Sequence, residues 1–364
     1  MRGKVAIYLP SLEGGGAERI TIVLANALAK VGHDVDLVVA NASGPNRSEV
    51  SSDVHLIDLG KRRVSASLPA LVRYLKQARP AVILSGLGHA NLVAIVARRI
   101  SGVSTRLVVT EHNSIRRGLD TLKGRATKLM MRCLYPHADA IVSVSQGIMR
   151  ELIELLGLPP AKMRTIYNPL DVDGVRARAA ERPAHAWFAA GQPPVIIGVG
   201  RLTAQKDFAT LLLAFAALRA EREVRLIILG EGEERTALTS LATSLGVAAD
   251  VEMPGFQGNP YGWMAASAVY VMSSAWEGLP GVLLEAMACG VSIVSTNCQT
   301  GPDEILENGR WGQLVPVGHS DALASAIAAA LDGLTFADSA IRVDAFRIEN
   351  ALRHYEQLLF PDTL

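Results

Sequence analysis

Short apolar runs rich in β-branched residues alternate with helix-like segments along almost the whole chain. The runs are VAIYLP (5–10), VDLVVA (35–40), AVILSG (81–86), RLVVTEH (106–112) and AIVSVS (140–145), then VIIGVG (195–200), RLIILG (225–230), VEMPGF (251–256), VYVMSS (269–274), VSIVST (291–296) and GQLVPV (312–317). Between them apolar residues recur at helical spacing, as in 17–32 and 68–78. This alternation predicts βαβ units around parallel sheets that are buried on both faces.

The length of the chain predicts two such sheets in tandem. With 364 residues, 49% of them apolar, the chain exceeds what one hydrophobic core usually serves. The Ala/Arg/Pro-rich stretch 171–194 is interpreted as the linker and the start of the second domain. We predict Rossmann-like domains at 1–170 and 171–340. A terminal amphipathic helix in 341–364 carries Phe346, Leu352, Tyr355 and Leu359 at helical spacing.

Charge is distributed unevenly between the halves. Residues 1–170 hold 23 Lys and Arg against 12 Asp and Glu, whereas residues 171–364 hold 13 against 23. The halves are therefore expected to meet different partners. Three cysteines without metal-ligand spacing favour a reduced compartment, so the expected location is cytoplasmic. Because no run approaches the roughly 18 apolar residues of a membrane span, we expect a soluble or peripheral protein.

The first candidate site is a glycine-rich loop after the first run. In SLEGGGAER, Gly14, Gly15 and Gly16 precede a helix, where a ligand could approach the backbone and an anion could meet free N–H groups. A dinucleotide-binding turn would need an acid at the end of the second strand, where residues 40–42 are Ala-Asn-Ala. A tight turn without a ligand is the alternative.

The second candidate site is the loop GVGRLTAQKDF in the C-terminal half. Arg201 and Lys206 flank the start of a helix, where the helix dipole is already positive. An anion bound between the two cations would resolve this conflict. Alternatively, both are solvated surface cations.

The third candidate site is WEGLPGVLLEAMACG (276–290). Pro280 suits the first turn of a helix, so Glu277 is placed in the loop and Glu285 inside the helix, mostly buried. A buried carboxylate needs several donors, and a polyol supplies them in pairs; pairing with a core Arg or backbone amides is the alternative. The first helical N–H groups predict an anion site at Gly281, Val282 and Leu283.

The three loops together indicate a nucleotide sugar as ligand. They combine cations, helix N-termini and carboxylates that accept hydrogen bonds from hydroxyls. No Asp-rich stretch suitable for a metal-bound diphosphate lies near them, so we expect no metal and no cofactor, with Arg201, Lys206 and helix dipoles neutralising the phosphates.

These motifs resemble a known family. LEGGGAER, RLTAQKD, EGLPGVLLEAMACGVSIVST with its Glu-x7-Glu spacing, and TGPDEIL, in this order along most of the chain, are similar to the retaining GT-B glycosyltransferases of family 4. The resemblance implies two Rossmann-like domains facing a cleft and a C-terminal helix that crosses back to the N-terminal domain. It also implies that the acceptor attacks from the leaving-group face of the sugar.

The resemblance also assigns roles to residues. Glu277 would hold the donor sugar's hydroxyls and His112 would lie beside that sugar, although His89 competes for this role and either histidine could be structural. The donor-binding residues it implies are Gly15, Gly16, Arg201 and Lys206 for the diphosphate, Glu285 for the ribose, and Phe256 for the base.

A basic stretch at 114–132 suggests where the acceptor lies. Arg116, Arg117, Lys123, Arg125 and Lys128 alternate there with apolar residues such as Leu119, Leu122 and Leu129. A basic amphipathic helix suits an anionic membrane surface, so we expect peripheral contact with the cytoplasmic face of the inner membrane and a polyprenyl-diphosphate-linked or other glycan acceptor. The alternative is a solvated helix face. Nucleic acid is not expected, because the run lacks interleaved aromatics.

The predicted activity is transfer of a sugar from a nucleoside-diphosphate sugar to an acceptor hydroxyl in cell-envelope glycan synthesis. The TNCQTGPDEIL stretch resembles members that use UDP-sugars, often UDP-N-acetylhexosamines. Alternatives are a nucleotide-sugar epimerase or a phosphorylase of the same architecture, or an NAD-dependent dehydrogenase.

Overall fold

The chain divides into two compact units. A computed structural model describes residues 3–13, 15–116, 121–334, 336 and 339–361. The first unit runs through Pro169 and resumes at Ile348; the second is Leu170–Arg347.

The first unit is built on a seven-stranded sheet in the order β3-β2-β1-β4-β5-β6-β7. Its strands are β1 (Val5–Leu9), β2 (Val35–Val39), β3 (His55–Asp58), β4 (Val82–Gly86), β5 (Arg106–Glu111), β6 (Ala140–Ser143) and β7 (Met163–Thr165). Every pairing among them is parallel. The inner strands are buried along their length, which explains why they read as continuous apolar runs.

Helices connect these strands as the 3.6-residue periodicity predicted. They are α1 (Gly16–Lys30), α2 (Leu68–Ala78), α3 (Gly88–Ser101), α4 (Leu122–Leu134) and α5 (Gln146–Leu156). A single 3-10 turn, Tyr135–His137, joins α4 to β6. Thr121 and Ser145 cap α4 and α5 through their hydroxyls, each accepting a bond from a backbone N–H three residues on.

The second unit repeats this design with six strands in the order β10-β9-β8-β11-β12-β13. The strands are β8 (Val195–Val199), β9 (Arg225–Leu229), β10 (Val251–Gly255), β11 (Val269–Met272), β12 (Ser292–Thr296) and β13 (Gln313–Val315). The helices are α6 (Val172–Ala179), α7 (Phe208–Glu221), α8 (Arg235–Ser244), α9 (Pro260–Ala266), α10 (Gly281–Ala288), α11 (Pro302–Ile305), α12 (Ser320–Leu331) and α13 (Ser339–Val343). The helix α6 lies within the stretch interpreted as a linker.

The terminal helix α14 (Ile348–Leu359) packs on the first unit. Ala351, Leu352, Tyr355 and Leu359 are buried in the same apolar cluster as strands β1 and β2. His33 at the end of α1 bonds Glu356 through its ring nitrogen at 3.0 Å. The predicted return of the C-terminal helix to the N-terminal domain is confirmed.

Each predicted apolar run contains a strand, and two short strands were missed. β3 is four residues long and exposed at both ends, and β7 has three residues, so neither produces a continuous apolar run. Among the helices of the described ranges, none combines the length and the apolar character that crossing a bilayer requires.

Candidate functional site

The order of strands places the candidate loops side by side within each unit. In both sheets the first three strands are added in one direction, and the fourth strand then pairs with the other side of the first. At the point where the strand order reverses, α/β sheets form a crevice that binds ligands. In the second unit this point lies between β8 and β11, followed by the loops with Lys206 and Glu277. In the first unit it lies between β1 and β4, and these strands are followed by the loop with Gly15 and by the first turn of α3 with His89.

The two loops of the second unit are joined by hydrogen bonds. The Gln205 carbonyl accepts the N–H of Ala275 at 2.9 Å, and the Gln205 side chain donates to the carbonyl of Trp276 at 3.0 Å. Ser273 donates its hydroxyl to the carbonyl of Lys206 at 2.7 Å. The loop that carries Glu277 is therefore fixed relative to the loop that carries Lys206.

Glu277 and Lys206 form the central ion pair of this site. The Lys206 ammonium lies 2.5 Å from Glu277 Oε1, which also accepts the Ser274 hydroxyl at 2.8 Å. The side chain of Glu277 is 9% exposed and that of Lys206 is 16% exposed. The sequence did not predict this pair, since it assigned Lys206 to phosphate and Glu277 to a sugar. One carboxylate and one ammonium thus neutralise each other where the two loops meet.

The second cation, Arg201, is exposed and makes no ion pair with any residue that the structure describes. The expected conflict between two cations and the start of α7 does not arise, because Asp207 caps this helix. Its carboxylate accepts the N–H of Thr210 at 3.3 Å and the Thr210 hydroxyl at 2.7 Å. Arg201 remains available to an anion, and Lys206 is occupied by Glu277.

Helix α10 begins where the sequence placed it, with Pro280 as the N-cap residue and no side-chain cap. The N–H of Leu283 donates to the carbonyl of Pro280 at 3.1 Å, so it already has a partner, and its assignment to an anion stays a prediction. For Gly281 and Val282, no backbone acceptor is found in the described ranges. Two N–H groups at the start of α10 can thus meet an anion.

Glu285 lies inside α10 and is partly buried, which agrees with its predicted position inside the helix. Of the two glutamates, Glu277 is the more buried. Glu285 Oε1 accepts the hydroxyl of Tyr261, a residue of α9, at 3.0 Å. Phe256 follows β10 and is 80% exposed, so its ring is free to stack on a planar group.

The glycine-rich loop of the first unit meets a carboxylate of its own chain. Glu18, in the first turn of α1, lies so close to Gly15 that any larger residue there would overlap its carboxyl oxygens. Gly16 is surrounded by open space. The role of Gly15 and Gly16 toward a phosphate therefore stays a prediction.

The two candidate histidines differ in burial. His89 is exposed, whereas His112 is 8% exposed, and burial lowers the pKa of its imidazole to about 4. Thr110 donates its hydroxyl to the carbonyl of Ser85, so it accepts from His112 Nε2 at 3.1 Å. His112 Nδ1 then bears a lone pair, and no partner for this buried atom is found in the described ranges.

The cations of the basic stretch lie in different environments. Arg116 forms ion pairs with Glu154 at 2.6 Å and with Glu151 at 3.5 Å, and its predicted contact with an acceptor or membrane stays a prediction. Lys123 and Lys128 line a cavity of about 370 Å³ in the first unit. Arg125 lies on the exposed side of α4.

Three residues named by the sequence analysis lie outside the described residues. They are Gly14 of the glycine-rich loop, and Arg117 and Leu119 of the basic stretch.

The sequence analysis missed one buried acid next to a residue that it named. Glu111 precedes His112 at the end of β5, is 4% exposed and lines the same cavity as Lys123 and Lys128. The available signal was a carboxylate that ends an apolar strand in VVTEHN, which costs free energy unless it is paired or used.

Comparison with solved structures defines the class of protein to which this fold belongs. The apo form of the lipopolysaccharide outer core galactosyltransferase WaaB aligns with a TM-score of 0.77 at 20% identity, over 98% of this chain and 99% of its own. Anabaena HepE in complex with UDP aligns with a TM-score of 0.80 at 20% identity, over 99% of this chain and 100% of its own. The fold is GT-B, as the motifs predicted.

Sequence comparison shows the family. Residues 14–173 match "Glycosyltransferase Family 4" and residues 182–340 match "Glycosyl transferases group 1". The Rhizobium meliloti lipopolysaccharide core biosynthesis glycosyltransferase LpsE is 31% identical over 327 residues, 86% of this chain and 84% of its own. The chain belongs to glycosyltransferase family 4.

A further relative comes from Campylobacter jejuni. Its N-acetylgalactosamine-N,N'-diacetylbacillosaminyl-diphospho-undecaprenol 4-alpha-N-acetylgalactosaminyltransferase is 29% identical over 331 residues, 88% of each chain. The present chain is accordingly a nucleotide-sugar glycosyltransferase of glycan synthesis. This sets aside the NAD-dependent dehydrogenase, the epimerase and the phosphorylase that the sequence had left open.

Proposed function

We propose that this protein transfers an N-acetylhexosamine from a UDP-sugar, with retention of anomeric configuration, to a hydroxyl of a polyprenyl-diphosphate-linked glycan. The Campylobacter relative is named for such an acceptor, and HepE was solved with UDP. The observation that carries the proposal is the pairing of Lys206 with Glu277 between two loops at the crevice of the second sheet.

The diphosphate would be held by Arg201 and by the N–H groups of Gly281 and Val282. Arg201 is an exposed cation without an ion-pair partner in the described ranges, and the first turn of α10 has no side-chain cap. Lys206 would move between Glu277 and the phosphate, since both acceptors are anionic and an ammonium can donate three bonds.

Glu285 and Phe256 would bind the nucleoside. Tyr261 donates to Glu285 Oε1 and holds its carboxylate, which offers lone pairs to ribose hydroxyls. The exposed ring of Phe256 offers a stacking surface to the base.

Glu277 would accept hydroxyls of the donor sugar and stabilise the developing positive charge, without forming a covalent bond. The Ser274 hydroxyl and the Lys206 ammonium already hold one of its oxygens, which suits an orienting group more than a nucleophile. The acceptor would attack from the leaving-group face, and the donor phosphate would take its proton. A glycosyl adduct trapped on Glu277 would contradict this reading.

The diphosphate proposal is tested by nucleotide affinity. Arg201→Ala should weaken UDP binding about ten-fold or more in calorimetry, because it removes a charge-assisted hydrogen bond. Arg182→Ala is the matched control, since Arg182 is also an exposed cation of the second unit. Equal affinities in both variants would remove Arg201 from the site.

We also propose that catalysis needs no metal, because Arg201, a helix N-terminus and Lys206, once it is shared with Glu277, can neutralise the phosphates. Transfer should continue at an unchanged rate in excess EDTA. A loss of activity that Mg²⁺ or Mn²⁺ restores would refute this.

Helix α4 supports contact with a membrane and with a lipid-linked acceptor. Leu122 is 86% exposed, and Leu129 lies exposed two turns along, flanked by the exposed cations Arg125 and Arg132. Thr127 and Lys128 instead line the cavity. One helix would thus rest its apolar stripe on the bilayer and offer its polar side to the acceptor's head group.

Vesicle binding tests this surface. Replacing Leu122 and Leu129 together by Ser should reduce co-sedimentation with vesicles rich in phosphatidylglycerol. Ile341→Ser is the control, because Ile341 is an exposed apolar residue of the second unit. Equal recovery of wild-type protein with anionic and neutral vesicles would defeat the membrane proposal.

A further inference from the structure

The cavity in the first unit is built from three elements. The end of β5, the start of α3 and one side of α4 border an open cavity of about 370 Å³, lined among others by Gly88, Glu111, Thr121, Lys123 and Lys128. This volume is near the lower end of the range for small-molecule sites, so it suits a sugar unit.

Glu111 is anchored on one side only. Its Oε1 accepts the hydroxyl of Tyr135 and, at 3.0 Å, the side-chain amide of Asn91. Both partners are fully buried and Asn91 also donates to the carbonyl of Thr110, which fixes the carboxyl group in place. In the described part of the chain, no hydrogen bond reaches the second oxygen, Oε2.

A carboxyl group in this position is costly. Burial raises the pKa of Glu111 to about 7, although Tyr135 and Asn91 act in the opposite direction. If anchoring β5 to α3 were its only role, a glutamine could accept the same two bonds without the cost of a buried charge. What the carboxyl adds is a second acceptor oxygen at the wall of the cavity.

The surroundings of this oxygen fit a sugar that carries a phosphate. Lys123 and Lys128 line the same cavity, and neither ammonium has an ion-pair partner among the residues described. The start of α4 faces the cavity as well. Acceptor oxygen and cations thus lie on one small surface, where hydroxyl groups and an anion of one molecule can both be satisfied.

We propose that Glu111 is an acceptor-binding residue whose Oε2 accepts a hydroxyl of the acceptor sugar, while Lys123 and Lys128 bind the acceptor's diphosphate. This rests on the proposed function, and it names the group that orients the acceptor. Glu111 neither forms a covalent bond nor needs to remove the proton, which the donor phosphate takes.

The test is Glu111→Gln, which replaces one acceptor oxygen of the carboxylate by a donor –NH₂ group. The glutamine oxygen can keep the bonds from Tyr135 and Asn91, which turns the –NH₂ group toward the cavity as a donor. With the source organism's own pool of lipid-linked glycans as acceptor and a panel of UDP-sugars as donors, the acceptor KM should rise about ten-fold or more. UDP affinity should stay unchanged.

A second variant guards against a folding defect. A methyl group at Gly88 would lie 3.3 Å from Glu111 Oε1, so Gly88→Ala should displace the carboxyl group and raise the acceptor KM without removing its anchors. Tyr135→Phe reports a purely structural role, since it removes an anchor and leaves Oε2 in place.

The outcomes separate this inference from the proposed function. An unchanged acceptor KM in both Glu111→Gln and Gly88→Ala would overturn the inference. So would a loss in Glu111→Gln that Tyr135→Phe matches in stability and in KM alike. If wild-type protein binds no UDP-sugar and transfers nothing to the native pool, the proposed function itself fails.

Discussion

Removing the charge of Glu277 should destabilise the free protein and make its stability more dependent on nucleotide. In Glu277→Gln, the Lys206 ammonium keeps a neutral amide oxygen in place of the carboxylate 2.5 Å away. Breaking a buried ion pair from one side costs about 3–5 kcal/mol. Because Lys206 is 16% exposed and the amide can still accept, we expect about 2 kcal/mol.

Thermal unfolding measures this loss. For a unit of 150 to 250 residues, about 2 kcal/mol corresponds to a Tm lower by about 4–8 °C. Saturating UDP should raise the Tm of Glu277→Gln at least as much as that of wild type, because the unpaired ammonium is free for the diphosphate.

A double-mutant cycle isolates the pair. Lys206→Met leaves Glu277 without its cation, and the double variant leaves neither charge. The double variant should therefore be more stable than the sum of the single losses predicts, by about 2 kcal/mol. Additive losses, or a Glu277→Gln variant that UDP no longer stabilises, would refute the role assigned to this pair.

Three further outcomes are expected. The pKa of Glu111 is about 7 in the folded protein, against 4.5 for an ordinary glutamate. At a pH between these values the folded protein keeps this proton and the unfolded chain releases it, so the free energy of unfolding falls as the pH rises from 4.5 to 7. The gap corresponds to about 3 kcal/mol, and denaturant titrations should show a flatter pH dependence in Glu111→Gln; an equal slope would contradict the burial argument. Phe256→Ala should weaken UDP binding by about 1 kcal/mol or more while leaving Tm unchanged, since its ring is exposed; unchanged affinity in calorimetry would remove it from the base site. Leu352→Ala should cost about 2–4 kcal/mol in denaturant unfolding, because Leu352 is buried in the first core; the exposed Arg353→Ala is the control, and equal small losses would mean that α14 contributes little.

The sequence predicted the sheets because their inner strands are buried on both faces. Such strands appear in the sequence as continuous apolar runs, as in β1 and β8. The strands β3 and β7 were missed because each is short and only partly buried. Pairing with a neighbouring strand holds them in place, and this pairing does not require an apolar sequence.

The sequence predicted which residues belong to the candidate site better than it predicted which of them are in contact. The start of α10 and the separation of Glu277 from Glu285 follow from local rules about Pro and helix ends. The pairing of Lys206 with Glu277 spans 71 residues and depends on β8 lying beside β11. No local pattern encodes that neighbourhood, so one sequence could not show that the cation and the carboxylate share a site.

The cap of α7 shows the same limit at shorter range. Asp207 stands directly after Lys206 in the sequence, and recognising it as the cap of α7 would have removed the apparent conflict of charges. Its backbone is left-handed, with φ of 45°, whereas an N-cap residue ordinarily has an extended backbone, so the usual rules for helix starts do not single it out. The start of α10, by contrast, has no such cap, which is why its N–H groups remain the better candidates for phosphate.

The central claim is transfer of a sugar from a UDP-sugar with retention. The most direct measurement is proton NMR of the glycan formed from an α-linked UDP-N-acetylhexosamine and the native pool of lipid-linked acceptors. We expect an α-linked product that forms with wild-type protein and that nearly disappears with Glu277→Gln. A β-linked product, or an undiminished yield from the Glu277→Gln variant, would contradict it.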